Sequence, residues 1–370
     1  MSRNNSQTLS SFLAAMEAIY GSFTHFDNIQ ASSWTPPPMA EGHRGRYLWT
    51  DAFGVLNFLT LGSLTSSPMY ITLAARLIKS VHDVLGRTRD GKERLPSATE
   101  AHPLAGGLRI GKENEENDPG GDGDGQYHHY LTMWMFALNR MALASKEKKY
   151  NDLAIELAKA VHPKFMRDRT TNRPRMYWKM SIDLSRPMVR SEGNLDPIDG
   201  YVVFHLLQRA NMDDPKILEQ EISEYKKILE TKWRQYVSDD ALDLGMTLWT
   251  AHWFDGEEEW ATQLTAKALA CLCGLFDDGY LDEPTAYRLA FREFGTCVGL
   301  KCYLERHRMT LVSDDVQYWE ANMDKILATW DAGRGDLVPL ARSSTPEELV
   351  PNTLVMYASA LVPGAFLKGA

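Results

Sequence analysis

The chain predicts an all-α fold, and three observations carry that prediction. Helical periodicity recurs along most of its 370 residues. Segments with that periodicity alternate between a half-apolar kind and an almost wholly apolar kind. No stretch shows an equally convincing period-two pattern of the sort a half-buried strand requires.

The half-apolar helices are the easier to read. In "NDLAIELAKAVHPKF" the apolar positions 153, 154, 157, 158 and 161 form one stripe, with Glu156 and Lys159 off it. "DDPKILEQEISEYKKILETKWRQY" repeats the scheme through Leu218, Ile222, Tyr225, Leu229 and Trp233. "SPMYITLAARLIKSVHDVLG" does likewise, opened by Pro68 and closed by Gly86. The other kind, exemplified by "YHHYLTMWMFALNRMAL", is apolar almost all round, as a helix enclosed by other helices must be. Inner and outer helices then alternate: inner 47–61, outer 68–86, inner 125–144, outer 147–162, inner 197–210, outer 213–234. The order continues with inner 240–254, outer 256–276, inner 284–305, outer 313–331 and inner 352–362, and a helix over 8–22 supplies the remaining outer partner.

Six inner and six outer helices make an (α/α)6 toroid, six helical hairpins in a double ring. A solenoid also alternates but needs an even repeat, whereas these units are interrupted by long insertions at about 88–124, 163–196 and 332–350. One domain over 1–370 is expected.

Composition restricts the partners. The chain is 44% apolar with a net charge of −9, and it lacks a basic stripe interleaved with aromatics, so nucleic acid is excluded as an expected partner. No run reaches the roughly 20 apolar residues of a membrane span, and "MSRNNSQTLSSFLAAMEAIYG" makes a poor signal peptide, so a cytoplasmic location is expected. Cys271, Cys273, Cys297 and Cys302 match no zinc spacing and read as reduced core thiols; no metal and no cofactor are expected.

In a double ring the inner helices run parallel, and their N-terminal ends gather on one side. Acids precede or open each of them: Asp51, Asp122, Asp124, Glu192, Asp196, Asp199, Asp240 and Asp243, with Tyr47, Trp49, Tyr127, Tyr177, Trp178, Tyr201 and Trp249 alongside. Carboxylates among aromatic faces suit a sugar, whose hydroxyls they bind and whose C–H faces stack on rings. Several of these acids have a simpler reading. Asp196, before Pro197, reads as an N-cap, and Asp240 and Asp243 as cap or first-turn acids stabilised by the helix dipole. "DPGGDGDG" lacks the register and distal Glu of a calcium loop.

Asp51 lies beyond the start of its helix among aromatics, where burial demands a partner; Arg46 or Arg44 is the structural alternative to a functional role. His128 and His129 are adjacent, so on a helix they diverge by about 100° and are expected to face different neighbours. His252 reads as a core histidine, and Arg292 with Glu293 as a buried ion pair.

At "RYLWTDAF" the sequence resembles the W-T-D-G-F element of the unsaturated glucuronyl hydrolases, within the six-hairpin glycosidase superfamily. The resemblance implies an (α/α)6 fold and a pair of cooperating aspartates on successive inner hairpins. Asp51 matches the first of these, and Asp124, opening the next inner helix, is the candidate for the second. Ala52 stands where the family has glycine, and "DGDGQYHH" does not reproduce its second motif.

The expectation is a sugar-processing enzyme acting on a small molecule, foremost a glycoside hydrolase. Asp51 and Asp124 form its catalytic carboxylate pair and Glu192 is the reserve acid. Tyr47, Trp49, Asp122, Tyr127, His128, His129, Trp178, Asp199, Tyr201 and Trp249 are the candidate substrate-binding residues. The alternative is an isomerase, lyase or cyclase in the same cavity, working on a sugar or a hydrophobic metabolite; the superfamily includes N-acylglucosamine 2-epimerases, and Met133, Met135, Met180 and Met246 suit a greasy lining. The third reading is a non-catalytic binding scaffold, which expects arginines to tie up both Asp51 and Asp124.

Overall fold

The structure, a computed structural model, describes residues 5–38, 45–118, 123–331 and 349–369. Asp122 and most of the 332–350 insertion fall outside these residues. The described chain groups into two compact units, one of residues 26–232 and one of residues 1–25 with 233–370.

In the 26–232 unit, α2 (Asn28–Ser33) precedes three helical hairpins. These are α3 (Leu48–Thr65) with α4 (Met69–Leu85), α5 (His128–Ser145) with α6 (Lys149–Phe165), and α7 (Asp196–Ala210) with α8 (Glu219–Lys232). Helices α3, α5 and α7 pack side by side, each backed by its own hairpin partner. Burial follows the two kinds of pattern. Every residue of α3 from Leu48 to Leu61 is buried, whereas α4 buries the stripe Met69, Tyr70, Leu73, Ala74, Leu77, Ile78, Val81, His82 and Leu85. Each fully buried Leu or Ile of such a stripe contributes about 1.5–3 kcal/mol of transfer free energy.

The second unit repeats the plan. Helix α9 (Ala241–Ala251) pairs with α10 (Glu259–Asp277), and α11 (Ala290–His307) with α12 (Ser313–Asp331). The last inner helix, α13 (Val350–Leu361), packs on α1 (Asn5–Tyr20), so the N-terminal helix does supply the last outer partner. Helices α9 and α11 approach unusually closely: a methyl group on Gly299 would stand 1.9 Å from the Gly245 carbonyl oxygen.

Some boundaries differ from expectation, for local reasons. Helix α5 begins at His128 rather than 125, because Gln126–Tyr127 (β1) pairs antiparallel with Lys179–Met180 (β4) and extends the backbone. A second short ribbon joins Met166–Arg167 (β2) to Arg175–Met176 (β3). Two-residue strands carry no readable alternation, which is why the sequence did not announce them. Helix α11 starts at Ala290, after turns of 3-10 helix at 280–282 and 285–287.

Several side-chain expectations also change. Arg292 does not pair with Glu293: it meets Asp240, while Glu293 takes both Arg288 nitrogens at 2.7 and 2.6 Å and the Trp330 indole at 2.7 Å. Adjacent helical residues point too far apart to chelate each other, so each found a partner on another segment. Asp240 caps α9 by accepting from Leu242 N and Asp243 N, and His252 is buried.

Candidate functional site

All three acids expected to be catalytic belong to the 26–232 unit. Asp124 is wholly buried and holds four donors. Its Oδ2 accepts from Arg109 Nη1 at 3.0 Å and Arg89 Nη1 at 3.1 Å, and its Oδ1 accepts from the backbone of Gly111 at 2.9 Å and Gly125 at 3.0 Å. A carboxylate has about four acceptor sites, and here all are engaged by protein. Asp124 thereby fastens the 88–124 insertion, from which Arg89 and Arg109 reach back 35 and 15 residues.

Asp51 is also wholly buried, with Arg46 Nη1 3.3 Å from its Oδ1. It sits in the first turn of α3, where the helix dipole favours an anion. The start of α3 is tied to the Asp124 loop through one segment: Leu48 N donates to Ile110 O at 3.0 Å, and Ile110 N donates to Gly125 O at 2.8 Å. Both aspartates are therefore arginine-paired, the condition expected of the scaffold reading. Glu192 is half-buried, with Arg175 at 3.6 Å and Lys232 at 3.8 Å.

The aromatic candidates converge instead on His129. Its ring lies 4.9 Å from Tyr130, 6.0 Å from Tyr127, 6.2 Å from Trp49 and 6.3 Å from Trp178, centroid to centroid. Trp49 and Asp51 are two residues apart, about 200° around α3, which separates the aromatic cluster from the Asp51–Arg46 pair. Trp178 arrives from the 163–196 insertion because the β1–β4 pairing continues into a bond from His128 N to Trp178 O at 3.0 Å. At one edge the hydroxyls of Tyr47 and Tyr130 meet at 2.5 Å. Burial, together with the neighbouring Tyr130, raises the Tyr47 hydroxyl well above its ordinary range; burial pushes that of Tyr130 up to about 12. Both keep their protons at neutral pH.

His129 has a side chain 34% exposed, against 1% for His128. They face different neighbours, as expected, His128 toward Tyr225 and Phe165 and His129 toward the aromatic cluster, yet one acid comes close to both. His129 Nδ1 stands 3.4 Å and His128 Nδ1 3.3 Å from the same oxygen, Oδ1 of Asp196. The two rings diverge, but Asp196 enters between them from the start of α7. For the same reason Asp196 is no cap: Leu195 occupies the cap position without a side-chain bond, and Asp196 turns to the histidines. Burial alone would raise the Asp196 carboxyl; His129 and His128 outweigh it and hold it well below the usual carboxylate range. A methyl group on Gly193 would stand 1.6 Å from Asp196 Oδ2, so only glycine leaves the carboxylate room.

Behind this pair the polar contacts continue toward the outer helix α8. His128 Nε2 and the Tyr225 hydroxyl are 2.6 Å apart, with Tyr225 lying across α7 where Gly200 has no side chain. Next along α8, Glu224 binds His162 at 2.9 Å and Arg169 at 2.8 and 3.1 Å. Asp199 and Tyr201 are buried on α7, and Tyr201 stacks on His205. Trp249 belongs to the other unit, packed on Phe366. That unit also has a cleft of about 420 Å³ lined in part by Lys301, Glu305 and Asp324. Among the described residues no group of three or more His, Cys, Asp or Glu could hold a metal ion, and no helix is long and apolar enough to cross a membrane.

No protein-family model and no curated relative matches the sequence. Solved structures do match the fold. They include a glycoside hydrolase family 76 mannosidase from Bacteroides thetaiotaomicron at 11% identity and a TM-score of 0.58. A sugar epimerase from a ruminal bacterium aligns at 10% identity and 0.59, and cellobiose 2-epimerase from Spirochaeta thermophila at 10% and 0.54. Each alignment covers 96% of this chain and 98% of the other. The fold is the (α/α)6 toroid, as the helix order led us to expect.

Proposed function

We propose that the protein is a sugar-processing enzyme whose proton-transfer group is His129, held by Asp196 and ringed by Trp49, Tyr127, Tyr130 and Trp178. The structural neighbours named for a mannosidase and for sugar epimerases support the substrate class. The observation that carries the reading is the contact of a half-exposed imidazole with a buried carboxylate. With the ring proton on Nδ1, facing Asp196, Nε2 keeps its lone pair; among the described residues it makes no hydrogen bond. A base oriented in this way is a general acid–base catalyst, an arrangement worth about 10²–10⁴-fold in rate.

Of the two reactions anticipated from the sequence, isomerisation fits this geometry better than hydrolysis. A glycosidase pair needs one carboxylic acid to protonate the leaving group and one carboxylate to serve water or carbon. Asp124 has no acceptor site left for either duty, and Asp51 faces Arg46. One imidazole suffices for isomerisation. Nε2 of His129 takes the proton from the carbon beside the carbonyl of an open-chain sugar, and the C–H electrons form the enediol as the carbonyl oxygen gains charge. The Tyr47–Tyr130 hydroxyl pair donates to that oxygen. Return of the proton to a carbon of the enediol gives an isomer, with no net gain or loss of atoms or electrons. Trp49, Tyr127 and Trp178 supply the stacking faces.

The test is consumption of reducing sugars by the wild type and by His129→Gln, with folding followed by circular dichroism. We expect turnover by the wild type and a loss of 100-fold or more in the variant at unchanged secondary structure. Sugar binding with no turnover by the wild type favours the scaffold reading, and full activity in His129→Gln overturns the assignment.

A further inference from the structure

Asp196 lies close to two imidazoles, only one of which reaches the aromatic cluster. We infer that His128 and Tyr225 are positioning residues for the reacting histidine: Tyr225 fixes the ring proton of His128 on Nδ1, and that N–H stands 3.3 Å from the Asp196 oxygen that His129 bonds, off the line of a hydrogen bond but close enough to act on its charge. The inference rests on the assignment of His129 above and extends it to two buried side chains that touch no substrate.

The tautomer follows from partners. Tyr225 is wholly buried, and burial, with Asp196 next in effect, raises its hydroxyl well above the ordinary range, so the proton stays on oxygen. Among the described residues, the partner recorded for that hydroxyl is His128 Nε2 at 2.6 Å. The hydroxyl donates, Nε2 accepts, and the neutral His128 ring carries its hydrogen on Nδ1, 3.3 Å from Asp196 Oδ1. His129 presents its own Nδ1 to that oxygen at 3.4 Å. The His128 Nδ1–H makes no hydrogen bond, but its dipole, 3.3 Å from that oxygen, offsets part of the negative charge that draws on His129. His129 is therefore steered by Asp196 without being bound as tightly as in a dedicated pair, and the Nε2 lone pair remains available to a C–H bond.

The surroundings favour this arrangement. Facing His128 are Phe165 at 5.4 Å between rings and His162 from α6, Asp196 from α7, and Tyr225 from α8. His162 stacks on Tyr225 at 4.7 Å and is pushed down to about 4 by burial, so it is neutral beside His128 at neutral pH. Asp199, Glu221 and Glu224 are the other charges acting on Tyr225, and each opposes its ionisation. His129 faces Asp196 and the rings of Trp49, Tyr127, Tyr130 and Trp178. Gly200 is what admits the arm, since a methyl group there would stand 2.3 Å from the Tyr225 ring.

The experiment uses the full-length protein labelled with ¹⁵N-histidine, comparing wild type, Tyr225→Phe, His128→Asn and His128→Leu. Ring ¹⁵N shifts report which nitrogen holds each proton, without substrate. We expect His128 as the Nδ1–H tautomer in the wild type and loss of that single tautomer in Tyr225→Phe. With the His128 N–H dipole turned away or gone, Asp196 bears wholly on His129. The acidic limb of kcat/KM then moves to higher pH in Tyr225→Phe and His128→Leu, by about half a unit, roughly a threefold change in proton affinity. His128→Asn, whose amide nitrogen takes the place of Nδ1, restores the wild-type profile. An Nε2–H tautomer of His128 in the wild type overturns the inference. So does an acidic limb unchanged in both Tyr225→Phe and His128→Leu, and if Tyr225→Phe does not fold the His128 pair decides alone. These results are separable from the assignment of His129 itself, which is tested by the activity of His129→Gln.

Discussion

His129 and Asp196 lie 67 positions apart in sequence, yet the site depends on the 3.4 Å between them. Nothing in either neighbourhood announced the contact. "DPIDG" reads as a helix start, and a histidine pair reads as one residue in and one residue out. Arg46 beside Asp51 was legible, because five positions bring the residues together at a helix entrance. The donors to Asp124 were not, since Arg89 and Arg109 come from within a long insertion of no regular period. A sharper residue-scale signal was Gly193, whose lack of a side chain makes room for the Asp196 carboxylate. Gly193→Ala is predicted to displace Oδ2, cut turnover by at least tenfold and lower the melting temperature, since the carboxylate leaves the histidines that stabilise it. Steady-state kinetics with a thermal melt check this, and unchanged kcat/KM would refute it.

The elements make their own predictions. Asp124 joins the 88–124 insertion to the entry of α5, and removing its charge strands Arg109, which is 2% exposed. Asp124→Asn should therefore lower stability by about 3–5 kcal/mol, the usual cost of leaving a buried charge uncompensated. Urea unfolding measures it, and a loss under 1 kcal/mol would show that the carboxylate is not the fastening group. Between α9 and α11 the limiting contact is backbone against backbone, at Gly245 and Gly299. Gly299→Ala must push the helices apart, at about 1–3 kcal/mol for overpacking, read as a lower melting temperature. The alternation of enclosed and striped helices was readable because each kind has its own burial pattern. The offsets at the starts of α5 and α11 were not, since they follow from a two-residue ribbon and from irregular turns.

Across the whole molecule, stability should fall on acidification in two stages. Burial pushes His82 and His162 down to about 4 from an ordinary value near 6.5. Between those values the unfolded chain binds the protons and the folded chain does not, so stability is full above about 6.5 and declines toward 4. Glu224 is held at about 2, because Arg169 and His162 outweigh the opposing effect of burial, and Asp196 is held lower still. Their contributions, present above the unfolded carboxylate value near 4, are lost below it. Thermal melts from pH 8 to 3 should show the first decline near 6, earlier than carboxylates alone allow; a plateau down to pH 4 would contradict it.

That fold is common to hydrolases and epimerases, so the chemistry has to be read from the site. Solvent-exchange NMR of reducing sugars in D2O, with wild type and His129→Gln in parallel, puts the question to the molecule directly. Proton transfer through His129 predicts deuterium appearing on the carbon beside the carbonyl, together with a new isomer, in the wild type alone. Cleavage of a glycoside with no deuterium on carbon, or equal labelling by the variant, would contradict it.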